Sequence, residues 1–367
     1  MRSPFLFAVG LTAVVACAPV RPAAPPAAAA PEPVVPDAVT VGERFVTEEN
    51  VADELDSPAT WTAEDGRAQV IVTAKSTHPL VVFDGDSGER LRDVGEKGEA
   101  AGRFERPGGI AVQGDLAFVV DRDNHRVQVL SLPTLTPVAT FGESDLRAPY
   151  GIWANESEPG DLDVYVTDGS VSEAKFDHVP SVAEPGARLK RFRVQEDGDG
   201  AVHARLLGAF ADAREAGALH GAGSIAGDPA NNRLLIADAD THPSMSTLRE
   251  YTLDGHDTGG GAAAGAFAAH AAGVALWDCP GGDGYWIAAD PLAPLAVFHV
   301  VDRRTLAPRG SFRGRVTSHT RGIALHAAGT PSFPGGVLYA VHDDRAIAAF
   351  DLRDIASALH LDEQCVR

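Results

Sequence analysis

The sequence predicts an all-β protein, a single six-bladed β-propeller that follows an export signal and a tether. Short apolar strands separated by turns recur from residue 57 onward. Their segments, such as LVVFD, DVYVTD and GVLYAV, are rich in β-branched and aromatic residues. The glycines that open the repeats lie 42, 72, 50 and 49 residues apart, close to the spacing of about 40–50 that is typical of propeller blades. These glycines are Gly109, Gly151, Gly223, Gly273 and Gly322.

Six repeats can be counted. They span residues 57–84, 108–142, 150–194, 223–253, 273–300 and 322–351. A further alternating segment, VTVGERFVT at 39–47, precedes the first repeat. Because an open ring would leave unpaired sheet edges, we predict that this segment is an outer strand of the last blade and closes the ring.

The N-terminus has the features of a bacterial lipoprotein signal peptide, residues 1–17. Arg2 precedes an apolar segment at 5–15 that is too short to span a bilayer, and the segment ends in VVAC. We predict that Cys17 is the lipidated residue, that the protein is exported, and that its partner is the bacterial outer membrane, to which it is lipid-anchored. The alternative is an ordinary signal peptide that is cleaved near Ala16 or Ala18.

The remainder divides into a tether and one domain. Residues 18–40 are almost entirely Ala, Pro and Val, a composition that favours extended chain over a packed core, and residues 41–367 form the predicted propeller. The chain has 51 acidic and 31 basic residues and a net charge of −20. This balance excludes nucleic acid as a partner, because binding it requires Lys and Arg to neutralise phosphates.

Two cysteines remain beyond the signal peptide, Cys279 and Cys365. An even number of cysteines in an exported protein predicts a disulfide bond. The alternative is two unrelated thiols.

Two family resemblances overlap in the repeats. The second repeat, GRFERPGGIAVQGDLAFVVDRDNHRVQVL, resembles an NHL repeat in its Phe before Pro-Gly-Gly-Ile and in its Asp-x-x-Asn-His-Arg-Val run. The stretches DELDSPATW, AGVALWDCPGGDGYWIAADPLAPLAVFHV and GIALHAAGTPSFPGGVLYAVHDD resemble the opening, penultimate and last blades of β-propeller phytases.

The second resemblance implies calcium ions as cofactors and a phosphate ester of inositol as substrate. It implies that Lys75 and Arg122 are catalytic residues that contact phosphate. It also implies that Asp56, Asp238 and Asp240 are metal ligands.

Several of the family's ligand positions carry other residues here. Residues 105–109 read ERPGG where the family has Asn, Asp and Arg, residues 270–272 read HAA in place of acidic residues, and Arg321 stands in place of an Asp. Calcium takes 6–8 oxygen ligands, usually with several carboxylates. We therefore predict a cell-envelope propeller that binds a ligand or a protein and has a degenerate catalytic site. The alternative is a calcium-dependent phosphate-ester hydrolase.

A ring of charged side chains at one mouth of the propeller is the predicted ligand site for a phosphate ester or a protein. The second strands of successive blades end at Lys75, Asp121, Asp168, Asp238, Asp290 and Asp343. The predicted ligand-binding residues are Asp121, His125, Asp168, Arg321 and Asp343. The alternative is that each Asp caps its own turn through a hydrogen bond to the backbone.

Overall fold

The computed structural model describes residues 37–169, 187–197, 201–212, 219, 221–239, 246–263 and 265–366. These residues form 25 strands, one α-helix and three short 3-10 helices. The strands make six sheets, and the first strand of each sheet contacts the first strand of the next until the ring closes. The predicted all-β, six-bladed propeller is therefore confirmed. Cys17 and most of the predicted tether lie outside the described residues.

Each of the first three blades is an antiparallel meander with its first strand at the axis. Blade one is β3 (Leu55–Thr62), β4 (Ala68–Ala74), β5 (Leu80–Asp84) and β6 (Arg90–Val94). Blade two is β7 (Pro107–Gln113), β8 (Leu116–Asp121), β9 (Arg126–Ser131) and β10 (Thr136–Phe141). Blade three is β11 (Ala148–Glu158), β12 (Asp161–Gly169), β13 (Ala187–Glu196) and β14 (Val202–Asp212).

The last three blades follow the same plan. Blade four is β15 (Ala222–Asp228), β16 (Arg233–Asp238), β17 (Thr247–Tyr251) and β18 (Asp257–Gly261). Blade five contains β19 (Val274–Asp278), β20 (Gly284–Asp290), β21 (Val297–Asp302) and β22 (Pro308–Arg313). Blade six contains β23 (Ile323–His326), β24 (Val337–His342) and β25 (Ala346–Asp351), after which α1 (Leu352–Leu359) begins. The 3-10 helices are Arg122–Asn124, Pro229–Asn231 and Glu363–Val366.

The N-terminal segment closes the ring across two blades. Strand β2 (Phe45–Val46) pairs antiparallel with β25 as the outer strand of blade six, as predicted. Strand β1 (Val39–Thr40) instead pairs in parallel with β22 and becomes a fifth strand of blade five. The segment at 39–47 was predicted to join one blade, but it joins two neighbouring blades.

Glu43, between β1 and β2, fastens this segment to blade five. Its carboxylate accepts hydrogen bonds from the backbone N–H groups of Arg315 (3.0 Å), Val316 (3.1 Å) and Thr317 (2.9 Å), and from Thr317 Oγ1 (2.6 Å). Three successive N–H groups form an anion-binding nest. Burial alone would raise the pKa of Glu43, but these hydrogen bonds outweigh it and lower the pKa below its ordinary value.

The hydrophobic core is divided among the six contacts between neighbouring blades. Each contact has its own cluster of buried side chains. Between blades one and two, for example, Ile71 and Val82 pack with Phe104 and Val119. Because every blade is covered on both faces, its inner strands are continuously apolar.

The repeated glycines are explained by the close approach of neighbouring inner strands. An added Cβ would lie 2.4 Å from the Tyr150 carbonyl oxygen at Gly109, and 2.0 Å from the Asp56 carbonyl oxygen at Gly322. Such distances are far inside van der Waals contact, so the ring could not close around larger residues at these positions. In blade four this position is Ser224 rather than Gly223, since Ile225 pairs with Ile236 as Ile110 pairs with Val119.

A disulfide bond joins Cys279, directly after β19 of blade five, to Cys365 in the C-terminal 3-10 helix. Both residues are buried in the cluster between blades five and six, which also contains Ile355 of α1. The C-terminal tail is thereby fixed to blade five. No helix among the described residues is long and apolar enough to cross a membrane.

Candidate functional site

Four buried aspartates end the second strands of blades two to five. They are Asp121, Asp168, Asp238 and Asp290, and each is at most 4 % exposed. Each carboxylate accepts hydrogen bonds from backbone N–H groups of the segment that leads into the first strand of its own blade. This geometry corresponds to the alternative in which each Asp holds a turn.

Asp121 has the most complete set of these contacts. Its Oδ1 accepts from the Glu105 N–H (2.7 Å), and its Oδ2 accepts from Asn124 Nδ2 (2.9 Å), Arg126 Nε (2.8 Å) and Gln128 Nε2 (2.9 Å). Its hydrogen bonds are therefore made within blade two, and its prediction as a ligand-binding residue gains no support from this geometry.

Asp168 and Asp238 have comparable surroundings. Asp168 accepts from the N–H groups of Arg147 (3.0 Å) and Ala148 (2.8 Å), and burial raises its pKa above the ordinary value. Asp238 accepts from the Gly221 N–H (2.8 Å) and from Arg249 Nε (2.6 Å). Both carboxylates hold loops. Asp240, the other predicted metal ligand of blade four, lies outside the described residues.

Strand pairing places the predicted ring differently in blades one and six. Leu55 pairs with Ala74, as Pro107 pairs with Asp121, so Ala74 occupies the aspartate position in blade one. Lys75 comes one residue later, at the position in blade one that is equivalent to Arg122 in blade two. By the same pairing His342 takes the aspartate position in blade six and Asp343 follows it. The prediction that Lys75 and Asp343 belong to the aspartate row is therefore off by one residue.

A buried ion pair forms the centre of the charged mouth. Lys75 Nζ lies 3.1 Å from Asp56 Oδ1, and the two residues are 8 % and 1 % exposed. Asp56 also accepts hydrogen bonds from Ser57 Oγ (3.1 Å) and from the Tyr150 hydroxyl (3.4 Å). The charge of Asp56, followed by burial, raises the pKa of Tyr150 above its ordinary value, so this phenol stays neutral.

Two arginines extend this charged mouth on the side of blades one and two. Arg122 is half-buried; burial lowers its pKa, and the charge of Arg106 nearby also lowers it. Glu54 Oε1 lies 3.9 Å from both Lys75 Nζ and Arg106 Nη2. The predicted phosphate-contacting pair, Lys75 and Arg122, therefore lies within one cluster of interacting charges with Asp56.

A pocket of about 240 Å³ opens at the same mouth on the side of blades three to six. Its lining residues are Tyr150, Gly221, Ala222, Gly223, Ser224, Ala239, His270, Ala271, Ala272 and Arg321. Arg321 is exposed, and its charge acts on Tyr150, His270 and Asp344. Burial raises the pKa of Asp344, whose Oδ1 accepts no hydrogen bond from the described part of the chain.

Two predicted ligand-binding residues have partners at the rim. The exposed His125 contacts the Arg147 carbonyl oxygen through its Nδ1. Asp343 pairs with His319 Nδ1 (2.9 Å) and Arg345 Nη2 (2.7 Å). The structure thus brings Asp56, Lys75, Arg122 and Arg321 together at the mouth. His125 and Asp343 instead contact other residues at the rim.

The two predicted calcium ligands among the described residues, Asp56 and Asp238, do not fit a calcium ion. Asp56 is paired with the Lys75 ammonium group, and Asp238 with the Arg249 guanidinium group. Within the described ranges no three or more His, Cys, Asp or Glu side chains are grouped so that they could hold a metal ion. Calcium needs several carboxylates that are not already neutralised by cations.

Some mouth residues were not predicted, although the sequence contains a signal for one of them, Tyr150. Asp56, Tyr150 and Arg321 occupy equivalent positions, each directly before the small residue that allows neighbouring strands to approach. The position directly before this small residue therefore predicts that Tyr150 lies at the mouth, beside Arg321. Glu54 and Asp344 lie in connecting segments outside the repeated pattern.

Comparison with known protein families finds a match for one blade. Residues 104–130 match the NHL repeat. The predicted NHL resemblance of blade two is thus confirmed, and the structure explains the motif. Phe104 is fully buried between blades one and two, and the Asp-x-x-Asn-x-Arg run places Asn124 and Arg126 on the Asp121 carboxylate.

Beyond this NHL repeat the similarities are structural. A chain of a nidogen/laminin complex is 16 % identical, with 71 % of this chain and 80 % of that chain covered and a TM-score of 0.46. Hydrazine synthase of Kuenenia stuttgartiensis is 11 % identical (82 % and 96 % covered, TM-score 0.45). Virginiamycin B lyase of Staphylococcus aureus is 10 % identical (83 % and 97 % covered, TM-score 0.45). No curated protein matches the sequence. At such scores these similarities say nothing about function, and the fold assignment rests on the strand pairing.

Proposed function

We propose that this protein is a ligand-binding propeller whose charged mouth binds a small phosphate-bearing anion. One observation carries the proposal: Lys75, Arg106 and Arg122 lie together at one mouth of a chain whose net charge is −20. A concave site with low-dielectric walls focuses the field of such a group of charges.

The acidic surface elsewhere does not contradict this proposal. At physiological ionic strength the Debye length is about 8 Å, so distant surface carboxylates are largely screened from a ligand at the mouth. The groups that face the ligand directly then decide its affinity. Binding should weaken as salt is added, because the guanidinium groups of Arg106 and Arg122 are only half-buried.

Substitution of Arg122 tests the proposal. We expect the full chain to bind inositol hexakisphosphate in calorimetry without added metal, and Arg122→Gln to weaken this binding about tenfold, the loss of one charge-assisted contact. Arg67→Gln is the matched control. Arg67 is exposed and paired with Asp65 in the β3–β4 turn, at the opposite end of blade one.

Equal binding by the Arg122 variant and the parent would contradict a site at this mouth. If the parent protein binds no phosphate ester, the proposal is wrong, and a protein ligand becomes the remaining interpretation.

Hydrolysis of a phosphate ester is the second candidate. It is favoured by the placement of Lys75 and Arg122 at equivalent positions of neighbouring blades, in contact with one charged cluster. The same mixtures should be assayed for released phosphate with and without millimolar calcium. Calcium-stimulated release would support the hydrolase, whereas binding without release would support a binding protein alone.

We also propose that the protein is exported and lipid-anchored to the outer membrane through Cys17. Cys17→Ser removes the acceptor thiol, and we expect the variant to leave the membrane fraction while it keeps the β-rich circular dichroism and melting temperature of the parent. Fractionation with a labelled fatty acid measures both localisation and acylation. A variant that sediments with membranes as fully as the parent would refute the anchor.

A further inference from the structure

The pocket of about 240 Å³ at this mouth is lined mainly by apolar groups, unlike the charged cluster around Lys75 and Arg122. Most of its lining is backbone or methyl group, from Gly221 and Gly223 of blade four and from Ala239, Ala271 and Ala272. With a volume of about 240 Å³ it has room for a compact organic group but not for a large polyanion. The polar residues of its lining are Tyr150, Ser224, His270 and Arg321.

Arg321 is unusual among the polar residues that line this pocket. Its guanidinium group forms no hydrogen bond and no ion pair with another residue of the described ranges, although most other arginines of the propeller are paired with carboxylates or carbonyl oxygens. A guanidinium group presents five N–H donors in a planar fork that matches a carboxylate. An arginine that lines a pocket with this fork unused is suited to receiving an anionic group.

The neighbouring charges decide which anion fits. Asp56 and Asp344 both raise the pKa of Tyr150, so negative charge already acts on this side of the mouth. Burial and the charge of Arg321 lower the pKa of His270, which therefore adds a neutral ring with one N–H donor rather than a second cation. Lys75 already neutralises Asp56, so Arg321 acts beside one further carboxylate, Asp344, and a monoanion meets less repulsion there than a dianion.

We propose that this pocket binds the carboxylate group of a small organic acid directly on Arg321, with the apolar body of the acid against the glycine and alanine residues. This carboxylate subsite is distinct from the proposed phosphate subsite at Lys75 and Arg122, and either can fail without the other. Arg321 and His270 stand where the phytase resemblance would require acidic residues, so the subsite belongs to this sequence and needs no metal ion.

The test compares an acid with its own amide. We expect 3-phenylpropanoate to bind the full chain at least about tenfold more tightly than 3-phenylpropanamide, as measured by ligand-observed NMR or calorimetry at pH 7. The two probes have the same shape, so the ratio of their dissociation constants isolates the contribution of the carboxylate. In Arg321→Gln this ratio should fall to about one.

Two variants serve as controls. Arg122→Gln removes a positive charge at the phosphate subsite, and Arg67→Gln removes one at the opposite end of blade one. Both variants should keep the parent's ratio. Three results would overturn the proposal: no binding of the acid by the parent, a ratio that survives in Arg321→Gln, or a ratio that collapses in Arg122→Gln. Binding of inositol hexakisphosphate, measured on the same samples, reports separately on the proposed function.

Discussion

Replacement of Asp121 by Ala should lower the free energy of unfolding by about 3–5 kcal/mol, the cost typical of removing one partner from a buried ion pair. The carboxylate is fully buried and accepts hydrogen bonds from Glu105 N–H, Asn124, Arg126 and Gln128. Without it, each of these donors loses one acceptor, the Arg126 guanidinium group loses its carboxylate, and Gln128 is itself fully buried. Denaturant unfolding followed by circular dichroism measures the change.

Asp123→Ala is the matched control for this prediction. Its side chain is 39 % exposed and lies 3.8 Å from Arg122 at the surface, so the change in stability should stay within about 0.5 kcal/mol. If Asp121→Ala were as mild as the control, the Asp121 network would not be a main source of stability in blade two. That result would favour the prediction that Asp121 binds a ligand.

Removal of the Cys279–Cys365 disulfide should lower the free energy of unfolding by about 2–5 kcal/mol. The bond spans 86 positions of sequence and restricts the unfolded chain by closing a long loop. It also fixes the C-terminal tail to blade five, so its loss should release the tail first. The Cys279→Ser/Cys365→Ser variant and the parent can be compared by thermal unfolding.

Reductant provides the control for the disulfide. It should lower the melting temperature of the parent and leave that of the double variant unchanged, and the intact mass of the parent should rise by two hydrogens on reduction. Free thiols that are alkylated without reduction, or an equal effect of reductant on both proteins, would contradict the prediction.

The sequence was sufficient to predict the number of blades because the buried strands repeat. Strands such as β8 and β24 are apolar up to their last residue, since both faces of each blade are covered by neighbours. Outer strands carry no such pattern. Arg90–Val94 is largely exposed and Asp257–Gly261 is mostly glycine, so neither differs in composition from a loop.

The site was harder to predict because it depends on register. A shift of one residue in a strand changes the direction of a side chain. Lys75 follows the aspartate position, and so it pairs with Asp56 instead of capping a turn as Asp121 does. Arg321 could be named from sequence as a mouth residue. That its guanidinium group has no partner in the described part of the chain depends on where the surrounding segments place their carboxylates.

The closure of the ring has a consequence for the time course of synthesis. The Ile347 N–H donates to Thr47 Oγ1 across 300 positions of sequence, beside the pairing of β2 with β25. At a translation rate of about 5–20 residues per second, the strand β2 waits on the order of 15–60 s for its partner to be made. During that interval blades one to four can pair within themselves, since each contains only consecutive strands. Whether the chain folds on the ribosome or after export, it therefore lacks the β2–β25 pairing until residue 347 is available, and the sheet edges that this pairing covers stay unprotected until then.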